Sequence, residues 1–188
     1  MAAIRLGRPP EESMDDFDRV FAAHFQEIHR YVAQRLGPDH AEDVAAETFL
    51  TAYRKRDRYD PGRAGVRTWL YGIATNLVGK HRRTETRALR ALRRHDPPSA
   101  DPGPEERVAE RVSAQSLRPA LAHAVAALNA GERDVVLLVA LAGLTHDEIA
   151  QALGISYGTV GSRLSRARRK LRAALGGTDP MGADHVRT

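Results

Sequence analysis

Apolar positions recur with the helical period along most of this chain, and no stretch alternates with period two for long enough to predict a strand. Phe17, Val20, Phe21, Phe25, Ile28, Val32 and Leu36 form one stripe on an amphipathic helix. Gly37-Pro38 ends it. Asp39, with Glu42 three residues on, predicts a capped start for a second helix running to about Arg56, with Val44, Phe49, Ala52 and Tyr53 available for burial. Arg58 to Gly65 reads as a loop from its Asp-Pro-Gly and second glycine. Val66, Trp69, Leu70, Ile73, Ala74, Leu77 and Val78 mark a third helix. Further on, Leu117, Ala120, Leu121, Ala124, Val125 and Leu128 form another stripe, with Pro119 in the first turn. Asn129 and Glu132 predict an N-terminal box for a helix carrying Val135, Val136, Leu138, Val139 and Ala142, closed by Gly143. Thr145 and Glu148 cap a short helix that Gly154 ends, and Ser156 caps a last helix from Tyr157 to about Leu175.

The expected fold class is therefore all-α, as two small helical domains joined by an extended linker, the second containing a helix-turn-helix. Charge locates the joint. Lys80 to Arg94 is strongly basic, with Glu85 its only acid. The sign then flips: Asp96, Asp101, Glu105 and Glu106 lie among Pro97, Pro98, Pro102 and Pro104, with no Lys or Arg between. Residues 95–107 thus read as an acidic, Pro-rich linker between domains at 14–94 and 108–176. Residues 1–13 and 177–188 read as disordered tails.

Composition narrows the classes. The 188 residues carry 29 Lys plus Arg against 24 Asp plus Glu, a net charge of +5. Only Lys55, Lys80 and Lys170 are lysines, and the arginine fork suits phosphates and base edges. With no cysteine, a disulfide scaffold, a Cys-ligated zinc site and a thiol nucleophile are excluded. The longest apolar run, Val135 to Ala142, is far short of the roughly 20 residues a membrane span needs. Residues 1–12 lack the apolar core of a signal peptide. A soluble, cytoplasmic protein is expected. There is no His-Glu-x-x-His, no phosphate-binding Gly-x-x-x-x-Gly-Lys loop and no Gly-x-Ser-x-Gly elbow. No catalysis, cofactor or metal is expected.

Thr145 to Leu175 has the parts of a DNA-reading helix-turn-helix in order. Ala150 permits close helix approach, Gly154 makes the turn, and Ile155 plugs the space between the helices. Val160, Leu164 and Leu171 line the inner face of the second helix, and Arg163, Arg166, Arg169, Lys170 and Arg172 the outer one. Such a helix can lie in a major groove with its first turns at base edges. A helical hairpin with a solvated basic face carries the same pattern.

The longer strings resemble a family. Leu128 to Leu175, with Glu148-Ile149-Ala150, Leu153-Gly154, Gly158-Thr159-Val160 and Ser162 to Arg168, resembles region 4 of the extracytoplasmic-function (ECF) sigma factors of bacterial RNA polymerase, within the sigma-70 family. Ala41 to Lys55 is similar to region 2.2, and Val66 to Arg83 to regions 2.3 and 2.4. The order, the spacing and the lack of an intervening region 3 agree.

The resemblance implies partners and roles. Region 2.2 docks the β′ clamp helices of core RNA polymerase, which implies exposed Asp43, Glu47 and Thr48, with Tyr53 nearby; region 4 meets the β flap. The same acids also suit a helix N-terminus. The loop Arg58 to Gly65 implies capture of a flipped minus-10 base, with Tyr59, Arg63 and Arg67 supplying a stacking face and charge, Asn76 facing DNA, and Lys80, Arg82 and Arg83 holding phosphates. An ordinary solvated loop fits the residues too. Trp69 fits either the core or a DNA-facing wedge. The minus-35 element falls to Ser156, Tyr157, Gly158, Thr159, Ser162, Arg163 and Arg166. Promoter DNA is one partner and an anti-sigma factor another. The acidic linker fits either a nucleic-acid mimic or a plain tether. Gly79, Lys80 and Gly161 depart from the common family pattern, where a helix former, an acid and a base are usual. Two other readings remain: a dimeric helix-turn-helix regulator acting without polymerase, and an Arg-rich RNA-binding or adaptor protein.

Overall fold

A computed structural model of the chain describes residues 16–93 and 117–175. The predicted tails and the linker lie outside them. Every described element is helical: α1 (Phe17–Leu36), α2 (Ala41–Arg54), α3 (Val66–Arg93), α4 (Leu117–Ala126), α5 (Ala130–Ala142), α6 (His146–Leu153) and α7 (Tyr157–Ala174), with short 3₁₀ turns at Pro38–His40 and Arg56–Arg58. They group into two compact units, one within residues 1–78 and 147–155 and the other within 79–146 and 156–188.

In the first unit, α1 begins where the Asp16 carboxylate accepts from the Arg19 amide at 3.3 Å, and ends at Gly37. The backbone there has φ 88°, which glycine adopts without steric cost. Val20, Ile28 and Val32 pack with Val44, Ala45, Phe49 and Ala52 of α2 in the core. The start of α2 differs from expectation. Pro38, with φ fixed and no N–H to satisfy, opens a 3₁₀ turn at once. Asp39 lies inside that turn, so His40 is the N-cap and makes no side-chain cap bond. The helix stops at Arg54, two residues short of the expected end.

The buried face of α3 is also rotated from the apolar stripe. Thr68, Tyr71, Gly72 and Thr75 are buried, while Trp69, Ile73 and Leu77 are only half-buried. A polar network selects this face. The Tyr31 hydroxyl and Thr75 Oγ1 lie 2.8 Å apart, Arg35 Nη1 donates to the Tyr31 hydroxyl at 2.6 Å, and the Tyr31 and Tyr71 rings meet edge-on at 5.1 Å. Buried hydroxyls are tolerated because they pair with one another.

In the second unit, α5 and α4 both pack on α7. Val135, Val136, Leu138, Val139 and Ala142 face Val160, Leu164, Ala167 and Leu171 in one apolar layer. The Asn129–Glu132 capping box forms in both directions, and Gly143 closes α5 in the left-handed region at φ 62°. From the α4 stripe Ala124 and Leu128 are buried, while Ala120 and Leu121 stay exposed and Val125 is half-buried. The α4 C-terminus is instead held by the Arg133 guanidinium, which donates to the carbonyls of Val125, Ala126 and Leu128 at 3.1, 2.5 and 2.7 Å.

Between α6 and α7 the turn closes as expected. Gly154 has φ 62°, its amide reaches the Gln151 carbonyl, and the Ile155 amide reaches back to Ala150 at 3.0 Å, a Schellman closure. Ser156 then caps α7 by accepting from the Thr159 amide at 3.2 Å.

Candidate nucleic-acid and polymerase interfaces

The loop before α3 is built by Asp60. Its side chain accepts from the Gly62 amide at 2.9 Å and its carbonyl from the Arg63 and Ala64 amides. This fold of the loop sets the half-buried Tyr59 ring 5.2 Å from Trp69. Tyr59, Arg58, Arg63, Trp69 and Asn76 line one cleft, and Asn76 is exposed. Three of the minus-10 residues expected from sequence are thus brought together. Trp69 is shared: half-buried, it packs on Tyr59 and also lines the cleft.

Arg67 is not among them. Its Nε donates to both carboxylate oxygens of Glu27, at 2.9 and 3.2 Å, and its guanidinium lies 5.0 Å from the centre of the Tyr71 ring. Expected beside the DNA-facing cations, it instead ties α3 to α1. Burial pushes the Glu27 carboxyl up, but hydrogen bonds from His24 and Arg67 outweigh this and leave it below its ordinary value. The Tyr71 hydroxyl, buried beside the Glu27 charge, is pushed up to about 12. Lys80 and Arg83 are exposed and Arg82 half-buried further along α3.

On α2, Asp43 and Glu47 are exposed, as expected. Tyr53, counted among the residues available for burial, stays exposed beside them, its ring 5.2 Å from that of Phe17. Thr48 does not. It is fully buried, and its hydroxyl donates to the Val44 carbonyl at 2.7 Å. A small hydroxyl residue one turn after Val44 can turn back on its own helix, and that satisfies it in the core. Leu50 takes a place on the exposed face that the sequence did not signal.

On α7, Ser156, Tyr157, Gly158 and Ser162 are exposed over the first turns, and Thr159 is half-buried. The two arginines assigned here sit to one side. Arg163 lies against the Gly131 backbone, so close that a Cβ at 131 would come 2.9 Å from its Cζ. Arg166 Nε is 3.7 Å from Glu132 Oε1.

The regions that carry these surfaces match known sequences. Residues 20–88 match the family described as Sigma-70 region 2, and residues 118–171 the one described as Sigma-70, region 4. The RNA polymerase sigma factor CarQ of Myxococcus xanthus is 32% identical over 168 residues, covering 87% of this chain and 91% of CarQ. The chain belongs to the ECF RNA polymerase sigma factors. The ECF RNA polymerase sigma factor SigE of Mycolicibacterium smegmatis is 32% identical over 166 residues, and the match spans 62% of SigE. The RNA polymerase sigma factor CnrH of Cupriavidus metallidurans is 34% identical over 143 residues, covering 72% of CnrH. Among solved structures, CnrH in complex with the cytosolic domain of CnrY superposes with a TM-score of 0.59 at 26% identity, covering 88% of this chain and 90% of that one. The sigma factor RpoE bound to the anti-sigma factor NepR, from Bartonella quintana, shares the fold at a TM-score of 0.62.

Two carboxylates of this sigma factor escaped sequence reasoning as partners of its cations. Glu27 and Glu132 reach Arg67 and Lys170 across 40 and 38 residues. The capping box revealed Glu132 as a cap, but no local pattern reports a bond of that span. Among the described residues no cluster of His, Asp or Glu could hold a metal ion, and no helix is long and apolar enough to cross a membrane.

Proposed function

We propose that this chain directs promoter-specific transcription by binding RNA polymerase, reading a minus-35 element with α7, capturing a flipped minus-10 base in the cleft before α3, and docking α2 on the β′ clamp helices. Region 4 meets the β flap, an anti-sigma factor is a further partner, and the chain acts in the cytoplasm by binding rather than by catalysis. The observation that carries this reading is the cleft. Tyr59, Arg63 and Asn76 come from a loop and a helix within a sigma-70 region 2 match, and they offer a ring, a cation and an amide to one space. Stacking a base on an aromatic ring returns about 1–3 kcal/mol, comparable to part of the cost of unstacking it. Lys80, Arg82 and Arg83 continue along the same helix as phosphate contacts for the displaced strand.

The test uses holoenzyme and a promoter fragment recovered from a random-sequence library by run-off transcription. Tyr59→Ala with Asn76→Ala is expected to abolish transcription from the duplex and to recover partly on the same fragment pre-melted across the minus-10 region. Equal defects on both templates, or none, would overturn base capture in this cleft. A regulator acting without polymerase would show no dependence on core enzyme at all.

A further inference from the structure

Glu132 is the most completely buried acid among the described residues, at 1% exposure. It does more than cap α5. One carboxylate oxygen accepts from the Asn129 amide at 3.3 Å and from Lys170 Nζ at 2.7 Å. The other lies 3.7 Å from Arg166 Nε. The neighbouring Gly131 leaves room for the Arg163 guanidinium to lie on its backbone. Residues 163, 166 and 170 fall on one side of α7, three and four apart. Three cations of the helix assigned to DNA are therefore gathered at the start of α5.

We propose that Glu132 is a positioning residue for the recognition helix: it withholds Lys170 from phosphate and holds Arg166 by its Nε at the edge of the DNA-facing surface. The inference rests on α7 reading DNA, as proposed above. Its physical basis is competition. A cation paired with a desolvated carboxylate, Lys170 by a hydrogen bond and Arg166 by a longer ion pair, gives up that partner before it can neutralise a phosphate. Lys170 and Arg166 are only half exposed, whereas the carboxylate they share is 2% exposed. Each phosphate contact made by a protein steepens the fall of log K with log salt by about 0.9. A cation held by Glu132 drops out of that count. It adds nothing to sequence-independent binding, and discrimination between promoter and other DNA gains.

The test compares holoenzymes on the library-derived promoter fragment and on a fragment with its minus-35 element scrambled, across a salt series. Glu132→Gln keeps the shape and removes the charge. It is expected to steepen the salt slope on both fragments by about one unit per released cation, and to lower the promoter-to-scrambled affinity ratio several-fold. An unchanged or shallower slope would overturn the proposal, as expected if Glu132 were a cap alone. Lys170→Gln, at a half-exposed position, gives a second reading that does not depend on the fate of the buried acid. An unchanged slope supports withholding, and a slope shallower by about one unit overturns it. Failure of the parent holoenzyme to distinguish the two fragments would instead remove the minus-35 assignment of α7 itself.

Discussion

Glu27 and Glu132 solve one problem at different depths. Each is a carboxylate taken partly or wholly from water, and each keeps its charge through cations brought from a distant helix. Lys170 beside Glu132 holds its carboxyl below the ordinary value despite burial, as His24 and Arg67 do for Glu27. A carboxyl lowered in the folded state contributes stability above the unfolded value, near 4.5, and loses it as pH falls through the folded value. Glu27→Gln is therefore expected to lower the urea midpoint at pH 7, with the gap to the parent closing below about pH 4.5. A gap that stays constant with pH would show that Arg67 and His24 do not act through the Glu27 charge. Single-residue roles were the least legible part of the sequence. The resemblance to region 2.2 implies exposed Asp43, Glu47 and Thr48. The two acids are exposed, as acids rarely bury alone, but Thr48 satisfies itself against its own helix, and sequence cannot say which way such a threonine faces.

Elements were far more legible, because caps and glycines act over a few residues. The Asn129–Glu132 box, the Ser156 cap and the left-handed glycines at 143 and 154 all stand where the sequence put them. What went astray was rotation about a helix axis. The α3 stripe counted only apolar residues, whereas a paired Tyr31–Thr75 can enter a core as readily as Ile73. A pairing 44 residues apart leaves no trace in a local pattern. Glycines separate the two kinds of role in this fold. Gly161 lies within α7 and a Cβ there would meet nothing within 4 Å, so Gly161→Ala is expected to stabilise the chain by up to about 1 kcal/mol. Gly154, at φ 62°, has equal space but the wrong backbone, and Gly154→Ala is expected to cost about 1–2 kcal/mol. Chemical denaturation of both variants checks the pair, and equal effects would contradict the helix–turn boundary at Gly154.

At the scale of the whole molecule, the two sigma-70 regions were legible from the order and spacing of their motifs, since two matches in sequence constrain one another more than either alone. Their joint task includes binding polymerase, and α2 offers the surface proposed for it. Asp43→Arg with Glu47→Arg is expected to weaken capture of core polymerase at least tenfold with helicity unchanged. Thr48→Val, altering a side chain sealed in the core, is expected to leave capture unaffected. Undiminished capture by the charge-reversed chain would move the docking surface elsewhere. The third helix has a consequence of a different kind. Its 28 residues run unbroken from Val66 to Arg93, about 42 Å at the rise of an α-helix. Asn76 and Arg83 stand two turns apart on that rod, so about 10 Å separates the amide proposed for a base from the cation proposed for a phosphate. At about 3.4 Å per nucleotide along a strand, that interval is close to three nucleotides. A loop could stretch to meet a longer spacing; a helix is a ruler, and a strand offset by one nucleotide misses its mark by more than a hydrogen bond forgives.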